Sequence, residues 1–342
     1  MNKAILFIVI LSLSKMDFAQ IPPGYYNTAE NLSGEPLRAA LYNIINGHSV
    51  KDYTTLWGYF QTTDNNDGIV WDMYTDNPSG SSSYTYNFGS DQCGNYTAEG
   101  DCFNREHSFP KSWFNDALPM YSDLFHIYPT DGWVNGKRGN YPYGEVNSPT
   151  YTSSNGSKLG ANVYPGYSGT VFEPIDEYKG DFARTYFYMV TRYKNVSSTW
   201  TSDMLIGDNL SEWAKTMLIS WDALDPVSQK EIDRNNAVHA IQGNRNPFID
   251  RPSWIDWIWG PTASVSDLGE PHLSMYNADG LLHISNAYTK QVVLNIVNML
   301  GATVKEISIE QGESRVELDL PQGLYIAAST IEGRVFALKF VR

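Results

Sequence analysis

The sequence is short of cysteine, of positive charge and of long apolar runs, and each shortage removes a class of protein. Two cysteines occur in 342 residues, Cys93 and Cys102. With no CxxC and no clustered cysteine and histidine set, a structural zinc site has nothing to build it. There is no HExxH stretch, which sets aside a zinc metalloprotease. Lysine and arginine number 24 against 38 aspartates and glutamates, a formal net charge of −14. So acidic a chain is not a simple basic clamp for nucleic acid. Any hold on a phosphate backbone needs a local basic patch or bound divalent cations. The apolar run Ala4–Leu13 is too short to cross a bilayer comfortably, and no other segment reads as transmembrane.

That run follows a basic start, Met1-Asn2-Lys3, and has the length of a signal-peptide core. Cleavage is expected after Ala19, giving a mature chain from Gln20, although Asp17 stands at −3 where a small residue is usual. In an exported protein, two cysteines with eight residues between them read as one disulfide, Cys93–Cys102, closing a small loop. The length exceeds one small core and suggests two domains. Aromatics make up 14% of the chain, with 23 Tyr and 10 Trp. That content suits a surface that stacks on bases or sugars, though any single ring is more often core.

Apolar spacing predicts helices over Leu37–Ile45, Thr54–Phe60, Phe182–Tyr193, Leu210–Leu218 and Asp225–Ile241, the last with Pro226 in its first turn. Ile69–Tyr74 reads as a short strand with a solvated Asp72, His48 reads as a surface residue, and Tyr141–Gly169 reads as a long surface excursion. From about Ala263 the texture changes to short β-rich runs: Leu281–Ile284, Gln291–Val297, Val304–Ile309, Arg315–Leu318, Leu324–Ala328 and Val335–Val341. Turns at Asn298–Gly301 and Glu332-Gly333 are among those between them, which predicts a compact all-β sandwich.

Chemistry concentrates in Cys102–Asn140. Glu106 and His107 are adjacent, and Asn135, Lys137, Arg138 and Asn140 follow in a tight cluster. Carboxylate and amide oxygens suit a hard cation such as Mg²⁺, an imidazole takes a proton from water near neutral pH, and cations stabilise a pentavalent phosphate. Phe103–His107 reads as a strand and Leu124–Tyr128 as its return. A short helix from Asp131, with Thr130 as its cap, carries Asn135 and Arg138 three apart on one face. Taken alone, an acid beside a histidine is usually a surface pair, His126 on an apolar strand is usually a core histidine, and Lys137 with Arg138 is an ordinary solvated face.

The segment resembles the bacterial endonuclease I family of secreted or periplasmic nucleases, within the ββα-metal (His-Me finger) group. The likeness rests on Asn104–His107 with Pro110–Trp113, on Asp123-Leu124, His126 and Pro129, and on Val134–Asn140. It continues through Val171–Pro174, Lys179–Arg184 and Ile241–Asp250, in the family's order. The resemblance implies an α+β fold: a ββα-metal nuclease core embedded in a largely helical domain, residues 20–262 after a signal peptide 1–19, followed by the small all-β sandwich 263–342. It implies His107 as general base, and Glu106 and Asn135 as ligands of one divalent ion, Mg²⁺ first with Ca²⁺ or Mn²⁺ as alternatives. Arg138 is the expected phosphate contact, with Arg105 and Arg184 as weaker choices. Many family members carry two adjacent histidines after the Asp-Leu pair. Here the first is Phe125, so His126 is expected to support the site and not to act as the base. The expected activity is hydrolysis of DNA, and of RNA as a further substrate, to 5′-phosphate ends by a monomer.

The end of the chain resembles the C-terminal sorting domain of the type IX secretion system in Bacteroidetes-type bacteria. The matching residues are Gly280–Leu282 with Ile284–Asn286, Asn298 with Gly301, Leu318 with Leu320-Pro321, Gly323–Ile326 and Lys339–Arg342. This implies a partner in the secretion machinery and a secreted or cell-surface location. The competing expectation is a secreted binding or adhesion protein on a degenerate nuclease scaffold.

Overall fold

The computed structural model describes residues 21–260, 273–278, 281–298, 301–331 and 334–341. The expected signal peptide, the 262/263 domain boundary, Gly280, the turn residues 299–300 and 332–333, and Arg342 lie outside the described residues. The architecture is α+β. Eight α-helices are described: α1 (Gly34–Ile45), α2 (Leu56–Thr63), α3 (Gly132–Arg138), α4 (Lys179–Arg192), α5 (Glu212–Leu224), α6 (Gln229–Gln242), α7 (Pro247–Asp250) and α8 (Trp254–Trp259). Small antiparallel sheets lie between them: β1 (Asn65–Asn66) with β2 (Ile69–Val70), β3 (Phe103–His107) with β4 (Ile127–Asp131), β5 (Val146–Thr152) with β6 (Lys158–Asn162) and β7 (Thr170–Glu173), and β8 (Leu205–Ile206) with β9 (Asn209–Leu210). Among the described residues, no helix is long and apolar enough to cross a membrane.

The helical part is organised around α4, which is buried at all 14 positions. Burying a charge is costly unless it is paired, and each ionised group of α4 has a partner. Lys179 meets Glu145, Glu173 and Asp176, Asp181 meets Lys230, Arg184 meets Glu231 and Asp222, and Arg192 donates to His48 Nδ1. On α1, Leu37, Leu41 and Ile45 recur every four residues and are fully buried, the stripe a core-facing helix needs. Helix α6 begins later than its spacing suggests. Ser228 and Glu231 form a reciprocal capping box that fixes the start, which leaves Pro226 ahead of the helix.

Five local expectations are revised. Only Ile69–Val70 of the predicted Ile69–Tyr74 strand is extended. Asp72 is buried, not solvated, because its carboxylate accepts from the Tyr74 and Asp131 backbone N–H groups at 2.7 and 2.6 Å. His48 is likewise buried, against Arg192. The segment 141–169 is not a surface excursion alone, since it supplies β5 and β6 of a three-stranded sheet. The return strand runs three residues later than expected and includes Pro129, set opposite Arg105.

The C-terminal strands form two antiparallel sheets. One orders β10 (Leu273–Ala278), β11 (Leu281–Asn286) and β14 (Gly312–Glu317). The other orders β13 (Thr303–Ile309), β12 (Val292–Asn298), β15 (Leu324–Ile331) and β16 (Arg334–Val341). Alternation in β11 and β15 buries every second residue. These strands have a core of their own, including Leu282, Ile284, Leu294, Ile296, Ala327 and Phe340, which shares no residue with the core built on α4.

Candidate active site

Strand β3, strand β4 and helix α3 bring the acid, the imidazole and the amide together. The register pairs Glu106 with Tyr128 and His107 with Ile127, and a connection from Ser108 to His126 joins the two strands. Helix α3 starts where β4 ends. Asp131, not Thr130, is its cap, with a carboxylate oxygen accepting from Val134 N at 2.7 Å. Asn135 and Arg138, one turn apart on α3, both reach β3.

A strand points alternate side chains to opposite faces. Asn104 and Glu106 therefore share the face toward α3. Asn135 Nδ2 donates to Asn104 Oδ1 at 2.6 Å, which ties Asn135 to the face of β3 that carries Glu106. Glu106 is buried and its Oε1 accepts from Arg138 Nη1 at 2.6 Å and from Tyr74 OH at 2.9 Å; neither bond uses Oε2. Burial raises the Glu106 carboxyl above its ordinary range, against the pull of the Arg138 charge and the Tyr74 hydroxyl.

Arg105 and His107 share the opposite side of the strand. His107 Nε2 lies 3.2 Å from the Tyr121 carbonyl oxygen. A carbonyl only accepts, so Nε2 carries the proton and Nδ1 keeps its lone pair. The ring stacks on Tyr53 and Tyr121, with centroids 5.6 and 5.3 Å away. Burial, with His126 nearby, holds the imidazole well below its ordinary pKa, against the pull of the Tyr121 carbonyl, and so in the neutral form. His126 is fully buried behind it, ring to ring at 5.4 Å, with its Nε2 2.7 Å from the Met120 carbonyl oxygen.

The arginines are placed differently from the sequence expectation. Arg138 is completely buried. It donates to Glu106, to the His107 and Ser108 carbonyls at 2.8 and 2.5 Å, and stands 3.3 Å from Tyr186 OH. Such a group orients Glu106 and has no open face for a phosphate. Arg184 is also completely buried, locked to Glu231 at 2.6 and 2.8 Å and to Asp222 at 2.6 Å. From helix α4 it is Tyr186 that reaches the site, donating to Ser108 O at 2.9 Å. Arg105 is the half-buried arginine on the His107 side, its guanidinium 3.7 Å over Tyr53 and 4.4 Å over Trp57.

Cys93 and Cys102 are joined, with Cα atoms 5.8 Å apart. The loop they close places the Tyr96 ring against Gly132 and Gly136 of α3, and Cys102 O accepts from Gly132 N at 2.9 Å. Sequence reasoning missed Tyr53, Tyr74, Asn104 and Tyr186. Only Asn104 carried a local signal, its two-residue spacing from Glu106 on a strand.

A family model described as Endonuclease I matches residues 33–253. An extracellular ribonuclease of Bacillus amyloliquefaciens is 35% identical over 247 residues, 69% of this chain and 78% of the relative. An extracellular ribonuclease of Bacillus subtilis is 32% identical over the same shares. A periplasmic deoxyribonuclease of Aeromonas hydrophila is 27% identical over 132 residues, 39% of this chain and 48% of the relative.

Proposed function

We propose a mechanism from one premise: the chain belongs to the endonuclease I family and is a nuclease, a phosphodiester hydrolase. The finer reading is a secreted, metal-dependent, sequence-nonspecific endonuclease that cuts DNA, and RNA, to leave 5′-phosphate ends. The observation that carries it is His107 Nε2 set against the Tyr121 carbonyl, on a strand whose opposite face carries Glu106 and, through Asn104, holds the Asn135 amide.

His107 acts as the general base. The Tyr121 carbonyl fixes the tautomer, so Nδ1 accepts the proton of the attacking water, and the same carbonyl steadies the imidazolium that results. Glu106 and Asn135 are the proposed protein ligands of a divalent cation. The donor set fits one: a carboxylate whose second oxygen is left by Arg138 and Tyr74, and an amide whose Nδ2 is taken by Asn104. Among the described residues no three His, Cys, Asp or Glu side chains gather into a metal cluster. A site with few protein ligands and several waters suits Mg²⁺, and Ca²⁺ or Mn²⁺ satisfy the same oxygens. When bound, the cation supplies charge that stabilises the phosphorane and the leaving 3′ oxygen. Arg138 holds Glu106 in place, His126 backs the His107 ring, and Arg105 is the proposed phosphate contact, with Arg184 confined to the core.

Export is proposed from residues 1–19, from the relatives named as extracellular or periplasmic, and from the C-terminal β-domain, 263–342, as the address read by the secretion machinery. Mass spectrometry of the secreted protein tests both ends: a retained N-terminus sinks the signal peptide, and an uncleaved, unmodified C-terminus released to the medium sinks the address. For the chemistry, the test is nicking of supercoiled plasmid with Mg²⁺, with and without chelator. His107→Ala is expected to lose at least about a thousandfold in rate with the fold intact. Full activity in that variant, or in chelator, overturns the mechanism.

A further inference from the structure

The side of β3 that carries His107 also carries aromatic rings around Arg105 whose faces and edges the hydrolytic mechanism does not use. Arg105 projects from the same side of the strand and lies against two aromatic rings, 3.7 Å over Tyr53 and 4.4 Å over Trp57, while its Nη1 donates to Tyr53 O at 2.6 Å. Tyr121 packs on Tyr53 at 4.4 Å and stacks on His107 at 25°. Lys111 Nζ lies 5.6 Å from the Tyr121 ring centroid. Tyr53, Trp57, Arg105 and Tyr121 are all half-buried, not closed into the core.

The chain carries −14; buried Arg38, Arg138, Arg184, Arg234 and Arg245 are each paired with a carboxylate, and buried Arg192 donates to His48. Among the described residues, Arg105 has no carboxylate within ion-pair distance and is held by π faces and a carbonyl instead. An unneutralised, half-exposed guanidinium interleaved with rings is the pairing that grips single-stranded nucleic acid: the cation meets a phosphate and the rings meet a base face. A duplex keeps its base faces stacked internally and offers this surface only phosphates.

We propose that Tyr53, Trp57, Arg105 and Tyr121 form a nucleotide subsite beside His107 that stacks an unpaired base, so that the enzyme favours single-stranded substrate. The proposal deepens the nuclease reading and rests on it for the identity of the ligand as nucleic acid.

The test is binding of the full-length protein, in chelator so that the metal-dependent step does not consume the probe, followed by fluorescence anisotropy at fixed salt. Three probes are compared: a 12-nucleotide DNA strand of mixed sequence, its duplex, and the same strand with abasic residues in place of its central nucleotides. The expected result is at least about tenfold tighter binding of the intact strand than of either other probe. Tyr53→Ala is expected to erase that difference, and Tyr53→Phe, which keeps the ring, to retain it. Equal affinity for intact and abasic strands in the wild-type protein overturns the proposal without relying on any variant. A Tyr53→Ala variant that still prefers the intact strand overturns the assignment to these rings. Failure of the nuclease reading is seen separately: a protein that does not nick plasmid with Mg²⁺ fails that test whatever the three probes show.

Discussion

Arg138 Nη1 lies 2.6 Å from Glu106 Oε1, and the two side chains are 0% and 3% exposed. The bond ties the last turn of α3 to the end of β3, the two elements that carry the proposed metal ligands. Burial works against the Arg138 charge, but Glu106 and the surrounding tyrosines override it, so the guanidinium stays ionised. Its value lies in orientation. Two further bonds to the His107 and Ser108 carbonyls fix the backbone on which the base itself sits.

Removing that cation leaves Glu106 buried without its counter-charge. Arg138→Met is expected to lose about 3–5 kcal/mol of stability in urea unfolding, with activity falling through misplacement of Glu106. Adding Glu106→Gln to the same variant should recover part of that stability while leaving the protein inactive. If Arg138→Met keeps its stability and only raises KM, Arg138 belongs with the phosphate contacts after all.

The Asn104–Asn135 bond makes a second prediction. Asn104 Oδ1 accepts from Asn135 Nδ2, which fixes the direction of the Asn135 amide oxygen. Partners that orient a metal ligand typically contribute 10- to 100-fold in metal affinity or activity, so Asn104→Leu is expected to raise the half-saturating Mg²⁺ concentration by about tenfold. The measurement is the cleavage rate against Mg²⁺ at saturating substrate. An unchanged Mg²⁺ curve would separate Asn104 from the cation.

Helix α3 is also held from its outer side. A Cβ added at Gly132 would stand 2.5 Å from Tyr96 Cδ1, and one at Gly136 would stand 2.7 Å from Tyr96 OH. Gly132→Ala therefore displaces either the ring or the helix that carries Asn135. It is expected to lower kcat several-fold, and Tyr96→Ala in the same chain to restore most of the loss by making room, as contacting residues couple. Additive effects of the two substitutions would remove steric contact as the cause.

How much of this was legible follows from the range of each interaction. The β3 strand, the α3 helix and the adjacency of Glu106 and His107 are local, and their residues announce them. The roles of the arginines are not local. Arg138 and Arg184 read as phosphate contacts in sequence because their partners Glu106 and Glu231 lie 32 and 47 residues away. Asp72 and His48 were misread for the same reason, their partners Asp131 and Arg192 being 59 and 144 residues distant. The later start of β4 has a different origin: Pro129 lacks an N–H, yet a two-stranded ribbon accommodates it where a central strand would not.

The buried network behind the site makes a prediction about acid. Asp123 accepts from Tyr188 and Tyr193 hydroxyls at 2.8 and 2.7 Å, from Gln242 Nε2 at 2.9 Å and from Phe125 N at 3.0 Å. Burial alone would raise its carboxyl, but His48 and His126, with the Gln242 and Phe125 donors, bring it down to about 2. A carboxyl held below its unfolded value of 3.8 adds stability above that value and loses it as pH falls toward about 2. His48 titrates in a higher window. Burial lowers its pKa from 6.5, with Asp123 pulling it up and Arg192 and Lys51 pressing it down, and its Nδ1 already accepts from Arg192. The unfolded chain takes up this proton first, so stability falls as pH drops below 6.5, at up to about 1.4 kcal/mol per pH unit for each such group. Urea midpoints measured down a pH series should therefore decline in two steps. His48→Gln is expected to shallow the upper step, and Asp123→Asn to remove the lower one while costing about 1–3 kcal/mol at neutral pH, because an amide N–H₂ then faces the tyrosine donors. Parallel pH profiles for wild-type and His48→Gln proteins would show that the imidazole is not buried in its neutral form.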